Sequence, residues 1–276
     1  MRILLTNDDG IDSVGLHILA KAMLPFGEVV VIAPDSEYSG AGAAIGAIHL
    51  MRPEIHRVNL DGLPEAWTVS GPPALCVMFA RMGAFGPPFD LVVSGINPGA
   101  NVGRSVYHSG TVGACLTARS GGISGIAVSQ DVSIGSIEGQ AWDEMLSNQL
   151  WDTAAAVAAT VVESVVATPL VEPGVININV PNLPVDQIRG WKRTTLAAVP
   201  IRSMDLLELE PKIGHDGAYR VKLTWGDAVA LPIETDAGAV SAGYVSLTWL
   251  SRIHELDPHA DDVKIAESPL DTMLHA

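Results

Sequence analysis

"FDLVVSGIN", Phe89 to Asn97, is the stretch that decides the fold. A strand with one face in water alternates apolar and polar residues. This one is apolar at successive positions, as a strand covered on both faces at the centre of a parallel sheet must be. The surroundings repeat the design. "RILLTN" (Arg2–Asn7) is a short apolar strand, and "SVGLHILAKAML" (Ser13–Leu24) puts Leu16, Leu19, Ala20 and Met23 on one helical face. "GEVVVIAP" is a second strand, stopped by Pro34. "WTVSG" and "PPALCVMFARMGAF" give another strand and helix, with Pro72 and Pro73 suited to the first turn. "GTVGACLTARSGG" is a helix closed by a glycine pair, "ISGIAVS" the next strand, and a helix from about Trp151 to Ala167 precedes the strand "GVININVP". Strands alternating with helices predict an α/β fold: a Rossmann-like, doubly wound, mainly parallel sheet with helices on both faces.

After Pro181 the alternation breaks. Residues 182–240 are rich in Pro, Gly and short β-like runs such as "GWKRTTLA" and "AYRVKLTW", with no long helix, and are expected to form a β-hairpin extension outside the core. "AGYVSLTWL" is a returning strand, and the tail from Ser251 is polar and acidic with weak helical character. The expected organisation is an α/β core over residues 1–181, the extension over 182–240, and the returning strand with the C-terminal tail over 241–276. Trp191, Leu196 and Trp225 give the extension apolar positions without a core of its own, which predicts an oligomer.

With 48% hydrophobic and 17% charged residues the chain is not a disordered one. Its formal charge of -15, without any Lys/Arg cluster, argues against a nucleic-acid polymer as partner. A small anion held through a cation stays open, because the cation reverses the local field. The apolar run at Ile3–Leu5 is too short for a signal peptide, and "TAAAVAATVVESVVATPLV" is interrupted by Glu163 and Pro169, so no membrane span is expected. Cys76 and Cys115 form no CxxC and sit in apolar helical contexts, as buried thiols do. A cytoplasmic protein is expected.

Ligands of doubly wound sheets bind beyond the carboxyl ends of the strands, and three such ends are unusual here. The first strand ends in Asn7-Asp8-Asp9-Gly10. The second runs into "APDSEYSGAGAAIG", and "DLVVSG" into "INPGANVGRSVYHSGTVGA". A solvated turn with Asp12 or Ser13 capping the next helix explains one acid but not two adjacent ones, which repel unless solvent, a nearby Lys or Arg, or a bound cation compensates them. Oxygen donors of this kind suit Mg²⁺ or Mn²⁺. "SGAGAAIG" misses the GxGxxG spacing by one position and opens far from its strand, so it is no dinucleotide fingerprint; it is either a small-residue turn or a backbone cradle for phosphate, with Ser39 supplying a neutral oxygen. Ser109, Gly110 and Thr111 open a helix, where an ordinary N-cap and a phosphate site are both at home. Asn97 and Asn101 lie among glycines, and taken alone are turn residues.

Together, "LLTNDDGIDSVGL", "APDSEYSG", "VSGPPALCV", "VVSGINPGANVG", "HSGTVGA" and "ETDAGAVSAGYVSLTWL" resemble the survival protein SurE family in order and spacing, from residue 1 to about residue 250. That resemblance implies a metal-dependent nucleotidase of the 5'-nucleotidase type, acting on nucleoside monophosphates. It puts metal ligands on Asp8, Asp9, Ser39 and Asn97, for one divalent cation per subunit. It puts phosphate contacts on Asn7, Gly40, Asn101, Ser109, Gly110 and Thr111, with Asp8 or Asp9 assisting as base, and it implies a homodimer or homotetramer built through the hairpin and tail. The chain departs from the family pattern at Leu75, where many members carry an acid, and at Thr117, where many carry Glu. The rival readings are a non-catalytic nucleotide-binding regulator on the same scaffold and a receiver module. The receiver would need an Asp ending its third strand and a Lys after its fifth, and neither is present.

Overall fold

The protein is described by a computed structural model covering residues 1–132, 146–202 and 204–251. The central run is strand β5 (Leu91–Pro98), hydrogen-bonded on one side to β1 (Arg2–Thr6) and on the other to β6 (Ser124–Gln130), parallel to both. Beyond β1 come β2 (Glu28–Pro34) and β4 (Ala66–Val69), also parallel, and then β3 (Ile55–Val58), which closes that edge antiparallel. Beyond β6 come parallel β7 (Val175–Val180), antiparallel β11 (Val245–Leu250), and β8 (Trp191–Arg193) at the far edge. Nine strands thus form one mainly parallel sheet in the order β3-β4-β2-β1-β5-β6-β7-β11-β8.

Because side chains alternate along a strand, each strand feeds both faces. Ile3, Leu5, Val29, Val31, Leu91 and Val93 meet helices α1 (Val14–Met23) and α5 (Trp151–Ala167). Leu4, Val30, Ile32 and Val92 meet α3 (Pro73–Arg81) and α4 (Gly110–Ser120). The four residues expected on one face of α1 are all fully buried. Pro72 and Pro73 take the N-cap and first position of α3. Leu75 is fully buried in the core under that helix, where an acid could not sit without a partner. Cys76 and Cys115 are buried and unpaired.

Two elements were not foreseen. A single turn, α2 (Ile48–Met51), leads into β3, whose first three residues are exposed and so carry no apolar pattern to read. The stretch after Pro181 is divided: β8 belongs to the large sheet, while β9 (Met204–Pro211) and β10 (Tyr219–Trp225) make a separate antiparallel pair. The excursion closes on itself, since Thr195 and Thr235 form a parallel bridge and the Thr195 carbonyl accepts the Asp236 N–H at 2.9 Å. Then comes the short helix α6 (Asp236–Ser241). The tail read as weakly helical, residues 252–276, lies outside the described residues, as does the side chain of Trp225. No helix among the described residues is long and apolar enough to cross a membrane.

Candidate active site

The parallel strands β1, β2, β5, β6 and β7 end on one rim, so the turns that follow them are neighbours. After β1 the chain turns sharply, with the Asn7 side-chain amide donating to the Gly10 carbonyl at 3.0 Å. Gly10 has φ +97 and its open side lies 3.3 Å from the Ser36 backbone, a place for glycine on both counts. Asp8 is buried, and its two carboxylate oxygens accept from the Gly110 N–H at 3.1 Å and the Thr111 hydroxyl at 2.5 Å. The Asp8 carbonyl in turn accepts the Tyr38 N–H at 2.8 Å. One residue therefore ties the end of β1 to the loop after β2 and to the start of α4. Gly110 has no room for a side chain, since a Cβ there would lie 2.7 Å from that of Asp8.

Asp9 has no such satisfaction. Its Oδ2 is buried without a hydrogen-bond partner, and so is Oδ1 of Asn7. Burial first, then the charges of Asp8 and Glu37, push the Asp9 carboxyl up to about 8. Burial also raises Asp8, against the opposing effect of its Thr111 and Gly110 hydrogen bonds. Removing water from two adjacent acids, with no cationic side chain bonded to either among the described residues, is an arrangement that a hard cation would compensate. Two carboxylates with neutral amide and hydroxyl oxygens nearby fit Mg²⁺ or Mn²⁺ better than zinc. Among the described residues, no group of three or more His, Cys, Asp and Glu side chains is placed to hold a metal.

Ser39 is exposed, and its hydroxyl donates to the Glu37 carboxylate. Gly40, with φ +82, has open space where a side chain would be. The loop is then pinned on α4: the Gly42 N–H donates to the His108 carbonyl at 3.0 Å, and a Cβ on Gly113 would meet the Gly42 carbonyl oxygen at 2.2 Å. Ser109 is the N-cap of α4, accepting the Val112 N–H at 3.1 Å, so its hydroxyl proton is left for another acceptor. The positive end of this eleven-residue helix starts at Gly110. Asn97, half-buried at the end of β5, donates to the Gly99 carbonyl at 2.7 Å. Asn101 is buried and fastened to the ends of β6 and β7.

Direct contacts thus join Asp8, Gly110, Thr111 and Tyr38, with Ser39 and Gly40 next along the Tyr38 loop; Asn97 and Asn101 follow the strand beside β1. Glu37 escaped the sequence reading, though a third acid three residues after Pro34 was visible. So did Asp236, fully buried at the start of α6, which accepts N–H groups from Gly103 at 2.8 Å and Ala197 at 2.9 Å. Its signal was the Thr-Asp pair opening a helix, with Thr235 as the cap. A separate groove of about 660 Å³, between α5 and the β11–β8 edge, is lined by Val161, Val165, Ile178, Trp191, Leu247 and Trp249 among others, with no ionisable side chain among the described residues that line it.

Fold and rim together define a doubly wound α/β protein with an acidic, oxygen-rich site at the carboxyl ends of its strands. The chain belongs to the survival protein SurE family, whose family model matches residues 3–202. It is 35% identical to the 5'/3'-nucleotidase SurE of Erwinia tasmaniensis over 254 residues, 91% of this chain and 90% of that one. It is 34% identical to the 5'-nucleotidase SurE of Haemophilus influenzae over 252 residues, 90% of each chain. The crystal structure of the SurE protein from Aquifex aeolicus superposes with a TM-score of 0.73 at 30% identity, covering 98% of this chain and all of that one.

Proposed function

We propose that the protein is a metal-dependent phosphomonoester hydrolase, a nucleotidase that releases phosphate from nucleoside monophosphates. The observation that carries this reading is the Asp8–Asp9 pair adjoining the N-terminus of α4, Asp8 buried and Asp9 half-buried with a buried, unpartnered carboxylate oxygen. Asp8, Asp9, Ser39 and Asn97 would hold one divalent cation, Mg²⁺ or Mn²⁺. Bound there, it would polarise a phosphoryl oxygen and make its water a better nucleophile. Asn7 and Asn101 through their second side-chain amide hydrogens, Ser109 through its hydroxyl and Thr111 through its main-chain N–H in the first turn of α4 would supply donors for the phosphate. Gly110 would line the site with its N–H given to Asp8, and the open backbone at Gly40 would let the phosphate approach closely. Holding the phosphate in line is most of what this reaction asks of a protein. Asp8 is engaged by Thr111 and Gly110, which leaves Asp9 as the stronger proton acceptor of the two. The names of the relatives favour catalysis over a non-catalytic regulatory role.

A homodimer or homotetramer belongs to the same reading. In the β9–β10 hairpin, Leu207, Leu209, Val221 and Leu223 are opposite one another in register on one face, and all are at least 40% exposed. The other face carries Glu208 and Glu210 near Lys222. An amphipathic hairpin with its apolar side in water supports a second copy of the chain as partner. Cytoplasmic residence is supported by the two unpaired thiols.

Phosphate release should be assayed across a panel of nucleoside monophosphates with Mn²⁺, with Mg²⁺ and with excess chelator. Release that depends on added cation is expected. Undiminished release in chelator would overturn the metal assignment, and no release from any nucleotide would overturn the function.

A further inference from the structure

Strand β7 reads "VININV", and its period of two puts Asn177 and Asn179 on one face, both with no solvent exposure. Amides in the middle of a buried strand are costly unless they are paired. Both converge on one residue of the loop after β5. The side-chain amides of Asn177 and Asn179 donate to the Asn101 carbonyl at 2.9 and 3.2 Å. The Asn179 side-chain oxygen accepts the Asn101 N–H at 2.7 Å. On β6, the hydroxyl of Ser129 accepts from Nδ2 of Asn101 at 2.9 Å. The backbone of Asn101 is thus held at both its polar groups by β7. Its Nδ2 carries two hydrogens, of which Ser129 takes one.

We infer that Asn177 and Asn179 are positioning residues for the phosphate subsite: they fix the main chain of Asn101 so that the remaining Nδ2 hydrogen is aimed at a substrate phosphoryl oxygen. This rests on the reading of Asn101 as a phosphate contact. Two adjacent strands, rather than the glycine-rich loop, then set where the donor stands, and a donor held in place binds an anion without first being ordered. Asn177 offers a clean handle. Its Oδ1 is buried without a partner, so replacement by leucine, with the same number of side-chain heavy atoms, removes an unsatisfied acceptor along with one of the anchors.

The test is calorimetric titration of inorganic phosphate into the Mn²⁺-loaded protein, with Mn²⁺ titrations as a parallel readout. Asn101→Ala should weaken phosphate binding about tenfold or more, the worth of a hydrogen bond to a charged group. Asn177→Leu and Asn179→Ala should each weaken it about threefold to tenfold while leaving Mn²⁺ affinity within about twofold, and should add nothing in the Asn101→Ala background. Unchanged phosphate affinity in Asn101→Ala would remove the reading on which the inference rests. A loss in Asn101→Ala, with no loss in the β7 variants or with losses that simply add, would overturn the positioning role alone. If Asn179→Ala does not fold, Asn177→Leu decides: phosphate affinity lowered in a variant of undiminished thermal stability supports the inference, and a change in stability alone refutes it.

Discussion

Asp9 pairs a large chemical load with little hydrogen bonding, and its protonation gives a prediction with a sign. In the metal-free fold its carboxyl holds a proton up to about 8, whereas in the unfolded chain it releases it near the ordinary value of 3.8. Between those limits the native state binds more protons, so the contribution of Asp9 to stability is complete below the lower limit and is lost as pH rises to the upper one. Chelator-treated Asp9→Asn should therefore melt above the parent, by a margin that widens from about pH 4 to about pH 8 and then levels off. A bound cation displaces the same proton, so Mn²⁺ affinity of the parent should climb over that interval, and Asp9→Asn should lose both activity and metal-induced stabilisation. A parallel pair of melting curves would refute this. Gly110→Ala is the companion substitution. A methyl 2.7 Å from the Asp8 Cβ forces that carboxylate off its two donors, and activity should fall at least about tenfold even where the variant stays folded, with a stability loss of about 1–3 kcal/mol by thermal melting.

At the scale of elements, α4 does two jobs with one residue. Ser109 caps the helix, so Ser109→Ala should cost about 1 kcal/mol, and Ser109→Gly only a few tenths, whatever the hydroxyl does for substrate. If the hydroxyl proton also meets phosphate, activity will be low in both variants while stability recovers in Ser109→Gly; melting curves beside phosphate-release rates separate the two roles. The helices and parallel strands were legible because each carries its own period: the run Leu91–Val93 and the face Leu16, Leu19, Ala20, Met23 need no distant partner to be recognised. Strand β3 was not legible, since an exposed edge strand held by backbone pairing to β4 leaves no apolar signature. The site divides the same way. Asp8, Asp9, Ser109, Gly110 and Thr111 stand out as residue types at strand and helix ends. Asn177, Asn179 and Asp236 act through contacts 39 to 133 residues away in sequence, and only the period-two spacing of the two amides hinted at them.

At the scale of the molecule, the β9–β10 hairpin leaves one apolar face in water among the described residues, and a second copy of the chain is its proposed occupant. Leu209→Lys with Val221→Glu, a pair opposite in register, replaces that apolar contact by a cross-strand ion pair. The double variant should lower the mass measured by light scattering while the melting temperature of the body shifts little; an unchanged mass would place the subunit contact elsewhere. The bridge between Thr195 and Thr235 carries a further consequence. A segment whose two ends are already neighbours is an insertion in the topological sense: the sheet does not depend on how long the detour is or what it contains. Closing a shorter loop between the same two points costs the body no strain and less chain entropy. The excursion is accordingly a cassette. Lengthening it, or cutting it to a few residues, should leave the rim that holds Asp8 and Asp9 its shape.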